Sequence, residues 1–74
     1  MNGWTKIFES RNQIYTELVK NEIISNEINA VILSKQDSYY LLGVFEIYVP
    51  TENAEIARLI VQLFNKDDSE EEAE

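Results

Sequence analysis

The chain predicts an α+β domain of order β-α-β-β-α, and three observations carry that reading. Residues 44–49, VFEIYV, are β-branched and aromatic, with Gly43 before them and Pro50 after, which marks a strand with its boundaries. Residues 56–64 place Ile56, Leu59, Ile60, Leu63 and Phe64 at the i, i+3, i+4, i+7, i+8 spacing of a core-facing helix. Ser10 and Gln13 stand at capping-box spacing ahead of a second apolar-periodic stretch.

Taken in order, Trp4–Phe8 is the first predicted strand, since Trp, Thr, Ile and Phe suit a pleated surface. Thr5 and Ile7 share one face and Trp4, Lys6 and Phe8 the other, so the segment alone leaves its core face open. The helix after Ser10 is expected to run to about Ser25, with Ile14, Tyr15, Leu18 and Val19 as its apolar sector. The next position of that sector is Glu22. Either the last turn rotates, so that Ile23 packs and Glu22 reaches the rim, or Glu22 sits at a small polar site. Asn26 is the candidate left-handed residue at the helix end.

Ile28–Leu33 is the second predicted strand, and Asp37-Ser38 carries the turn signal of the following connection. Tyr39, Tyr40, Leu41 and Leu42 either extend the third strand or form an apolar flap. In the third strand Phe45, Ile47 and Val49 should face the core, with Val44, Glu46 and Tyr48 opposite. Pro50 ends the strand, Thr51 is the predicted N-cap, and Glu52 and Glu55 suit the positive end of the helix dipole.

The compact arrangement of these elements is the ferredoxin-like split β-α-β unit: a three-stranded sheet, strand three central, two helices on one face. Strand three is expected parallel to strand one and antiparallel to strand two. Strand one is left as an open edge. Residues 1–66 form the single domain. Residues 67–74, DDSEEEAE, hold six acids and no base and are expected to be a disordered acidic tail.

The formal net charge of −8 is concentrated in that tail, because residues 1–66 have eight acids against six bases. Neither part offers a basic patch, so nucleic-acid partners are not expected. The 74 residues include no cysteine and no histidine, which removes thiolate chemistry, disulfides and the usual neutral-pH acid/base and metal ligand. With no nucleophile–base pair, phosphate loop or spaced ligand set, the chain is expected to be no enzyme and to carry no metal or cofactor. No apolar run approaches a membrane span or a signal-peptide core, so no membrane association is expected and a cytoplasmic location is the default.

Two sites are legible. Trp4, Phe8, Val44 and Tyr48 would converge on the sheet face away from the helices, a candidate interface for a protein partner or for self-association. Glu22, Asp37, Tyr39 and Tyr40 form a candidate ligand or polar site, the basis of an alternative reading as a small-ligand sensor.

WTKIFESRN, INAVILSKQDSYY and GVFEIYVP, in that order over residues 4–64, resemble a family of small prokaryotic signal-transducing proteins. The resemblance implies a small cytoplasmic bacterial domain of ferredoxin-like, PII-like arrangement and a regulatory, non-enzymatic role. Glu27 stands where that family tends to have glycine, and Glu22 where it tends to have an apolar residue. No catalytic or ligand residue carries over.

Overall fold

The computed structural model describes residues 2–35 and 43–73, and of 66–73 it describes the backbone. Its elements are β1 (Trp4–Ser10), α1 (Gln13–Ser25), β2 (Val31–Lys35), β3 (Val44–Pro50), a 3-10 turn (Thr51–Asn53) and α2 (Ala54–Ala73). The sheet order is β1-β3-β2, with β3 central as expected. The architecture is α+β, a three-stranded antiparallel sheet with two helices, compatible with a small ferredoxin-like fold.

β3 is antiparallel to both neighbours, which corrects the parallel β1–β3 pair expected from the sequence. The helix between β1 and β2 returns the chain, so those two strands run the same way. The reversal from β2 into β3 then sets β3 against both.

A β-bulge interrupts β1. Lys6 pairs with Tyr48 and Phe8 with Ile47, so Ile7 is the extra residue. The bulge resolves the face that the sequence left open, because it breaks the period of two. Before it Thr5 lies opposite Val49 on the core side; after it Phe8 lies opposite Ile47 on that same side. Ile7 and Phe8 both pack against the core.

The core between sheet and helices holds Val19 and Ile23 from α1, Ile28 from the segment between α1 and β2, Ile47 and Val49 from β3, and Ala54, Ala57 and Val61 from α2. Ile47 and Val49 are fully buried, as expected, while Phe45 at the strand's start is only half-buried. Both helices are rotated relative to the apolar sectors read from the sequence. On α1 the buried residues are Thr16, Val19 and Ile23, whereas Ile14 and Leu18 are exposed. Thr16 fits there because its hydroxyl donates to the Asn12 carbonyl at 2.7 Å, satisfying the polar group within its own helix. On α2 the small residues Ala54 and Ala57, with Val61, turn inward and allow close approach to the sheet; Ile56, Leu59 and Leu63 are exposed.

The helix ends differ too. Asn12, not Ser10, caps α1: its side-chain oxygen accepts from the Tyr15 amide at 2.8 Å, while the Ser10 hydroxyl accepts from the Asn12 amide at 3.0 Å and turns the chain into the cap. At the other end Asn26 has φ −95°, and Glu27 takes the left-handed conformation with φ 65°. Asn26 instead bonds the Glu22 carbonyl through its side-chain amide at 2.8 Å, so its polar group is used without a positive φ. Thr51 is no N-cap. Its amide donates to the Gly3 carbonyl and its hydroxyl lies 2.9 Å from that of Thr5, tying the start of β1 to the β3–α2 turn. Gly3, at φ 81°, supplies the left-handed backbone that this tie requires.

α2 is described as helical backbone to Ala73.

Candidate functional site

Of the four residues expected on the sheet's outer face, two are placed there as surface. The pairing register puts Trp4, Lys6, Glu46 and Tyr48 on that face, and Trp4 and Tyr48 are half-buried. Phe8 is not there. The bulge carries it to the core side, where its ring centroid lies 6.0 Å from that of Tyr15, which in turn lies 6.0 Å from Phe64. Val44 is on the outer side of β3 but only 7% exposed. The contiguous aromatic patch read from the sequence therefore does not assemble.

That face is centred on Glu46 instead, 3% exposed. Its Oε2 lies 3.3 Å from Lys6 Nζ and its Oε1 3.6 Å from Lys35 Nζ, and the Tyr48 hydroxyl donates to Oε1 at 3.1 Å. Lys6 also bonds Glu9 at 2.9 Å; the bulge between them brings these residues, three apart, onto one face. Burial pushes the Glu46 carboxyl up, but the hydrogen bonds from Tyr48 and Lys6 and the charges of Lys6 and Lys35 outweigh it, and the net direction is down. Lys6 is pushed up by its hydrogen bonds to Glu9 and Glu46. β3 holds the acid at the sheet centre, and β1 and β2 each bring one lysine to it by register: Lys6 opposite Tyr48, Lys35 opposite Val44. The cluster is internally paired and works as a clasp across the three strands.

The unpaired surface lies on the other side. Ile14 and Leu18 on α1 are 76% and 51% exposed; Ile56, Leu59 and Leu63 on α2 are 53%, 51% and 55% exposed. At 100° per residue, each set points away from its own helix's buried residues. Since both helices pack on one side of the sheet, the five side chains share the outer helical face. An open groove of about 770 Å³ runs along α2 there, lined by Ile56 and Leu59 with Glu52, Glu55, Arg58 and Gln62.

No protein-family model, curated protein or solved structure matches this chain.

The second site expected from the sequence is described only at Glu22, which is exposed on α1 beside the fully buried Ile23; Asp37, Tyr39 and Tyr40 lie outside the described residues, as does the 39–42 segment. Among the described residues no cluster of acids, histidines or cysteines is arranged to hold a metal ion, and no helix is long and apolar enough to cross a membrane. The sequence reading missed the helical face because it assigned every large aliphatic residue of the periodic stripes to the core. The signal against that was present: Ala54, Ala57 and Val61 form a second stripe on α2, and small residues are what a close helix–sheet contact selects.

Proposed function

We propose that this chain is a non-enzymatic interaction module that binds protein through the outer face of its two helices. Its regulatory character is the part that the resemblance to prokaryotic signal-transducing proteins contributes, and the ferredoxin-like unit is the scaffold on this reading. One observation carries it: five Ile and Leu side chains, each more than half exposed, share one face. Single exposed leucines need no explanation, whereas several large aliphatic side chains exposed on the same side of a small domain are the usual mark of a contact surface. Among the described residues of the sheet's outer face, Glu46 is paired with Lys6 and Lys35, and Trp4 and Tyr48 are half-buried.

The test is comparative capture. Wild type and a Leu59→Glu, Leu63→Glu double variant are immobilised and exposed to lysate of the cells that make the protein. Proteins retained by wild type and lost from the variant, identified by quantitative mass spectrometry, support the helical face. Equal retention by both overturns it.

A further inference from the structure

We infer that the partner of this face is a second copy of the same chain, the two α2 helices crossing antiparallel about a two-fold axis near Leu59. This rests on the helical face being the contact surface, and adds its occupant. The exposed α2 residues Ile56, Leu59 and Leu63 are spaced by three and then four, the spacing at which one helix's side chains seat between those of another. An antiparallel crossing at Leu59 sets Ile56 of one copy beside Leu63 of the other. The same patch then serves both copies, as an isologous interface requires. Ile14 and Leu18 of α1 extend the contact on each side.

Area favours this occupant. Half or more of five Ile and Leu side chains is roughly 400 Å² of apolar surface per copy. Two copies supply roughly 800 Å², about the apolar half of a standard interface of about 1,600 Å², with the polar rim supplying the rest. The small core points the same way. Val19, Ile23, Ile47 and Val49 are the only large apolar side chains among the described residues that are fully buried, and association is one of the few ways a cysteine-free domain of this size adds buried surface. Both copies carry the same net charge of −8, so the association works against repulsion and should tighten as salt rises.

Sedimentation velocity and equilibrium over a wide concentration range test this, with far-UV circular dichroism confirming that each variant folds. Wild type should show a reversible monomer–dimer equilibrium. Leu59→Glu should weaken it 100-fold or more, and Tyr48→Ala on the opposite face should leave it within twofold. Added salt should strengthen it. A wild type that stays monomeric at the highest attainable concentration overturns the second copy as occupant, and the capture experiment still decides the face. A dimer that survives Leu59→Glu unchanged overturns the helical face as the contact. Weakening by salt shows a charge-paired association, which overturns the apolar seam.

Discussion

On the sheet side of this domain a carboxylate, Glu46, is 3% exposed, while on the helix side an isoleucine, Ile14, is 76% exposed. The usual assignment of charge to water and aliphatic surface to the interior is reversed on both outer surfaces, for different reasons. The carboxylate is tolerated inside because Lys6, Lys35 and Tyr48 reach it from all three strands, and their charges and hydrogen bonds offset the desolvation penalty. The aliphatic residues stand outside because the inner side of each helix is already filled, by Thr16, Val19 and Ile23 on α1 and by Ala54, Ala57 and Val61 on α2. Among the described residues, the carboxylate of one surface is paired and the aliphatic side chains of the other are left exposed, and the proposed function rests on that difference.

The largest effect should come from the layer between the two surfaces. Ile47 is fully buried at the centre of the middle strand, so Ile47→Ala should cost about 3–4 kcal/mol by removing buried methyl groups and leaving a cavity. For a domain of this size that is a large fraction of its stability, and urea denaturation would show it as a marked fall of the midpoint. A loss under about 1 kcal/mol would mean that the helices and sheet do not share one core.

The sheet-side clasp comes next. Glu46→Gln should cost about 1–2 kcal/mol at pH 7, because it keeps the shape and one acceptor but removes the charge that both lysines meet. The pH dependence has a definite sign. The Glu46 carboxyl lies below its ordinary 4.5 in the folded chain, so its contribution is fully present above about 4.5 and is lost as pH falls through the folded value. Lys6 lies above 10.5, so its contribution is present below 10.5 and is lost as pH rises through its folded value. Glu46→Gln should flatten the acid limb of stability against pH. An unchanged acid limb would show that Glu46 does not stabilise the fold through its charge.

How much of this was legible in the sequence divides along the same line. Element order, the central position of the third strand and the burial of Ile47 and Val49 follow from local pattern, because a period of two beside a glycine and a proline leaves few alternatives. The rotation of both helices does not follow. Ile56, Leu59 and Leu63 make as good a stripe as Ala54, Ala57 and Val61, and only the distance between helix and sheet decides which one is buried. The bulge at Ile7 is equally silent: residues 4–8 contain nothing that marks a skipped pairing, yet it moves Phe8 to the opposite face and dissolves the expected aromatic patch. Glu46 was visible as one acid between Val44 and Tyr48, but its two lysines come from other strands and needed the register.

A smaller effect, stabilising in sign, is expected at the end of α1. Glu27 holds φ 65°, a conformation that costs an ordinary residue about 1–2 kcal/mol and a glycine almost nothing. Glycine loses part of that advantage to its greater freedom in the unfolded chain. Glu27→Gly should therefore raise stability by about 0.5–1 kcal/mol, read as a higher urea midpoint at unchanged slope. A destabilisation would show that the Glu27 side chain makes up more than its backbone loses.

The smallest effect sharpens the comparison most. Leu59 is 51% exposed, so in the isolated monomer Leu59→Gln should change stability by less than about 0.5 kcal/mol, as surface substitutions do. The measurement belongs at a concentration where sedimentation shows monomer alone. At higher concentration the wild type should gain melting temperature with concentration, since anything that binds only the folded chain stabilises it by mass action, and the variant should not. A leucine that matters for stability only when a second molecule is present belongs to an interface. If Leu59→Gln instead costs the dilute monomer 2 kcal/mol or more, the side chain is packed within its own domain, and the contrast between a paired carboxylate and exposed aliphatic side chains disappears.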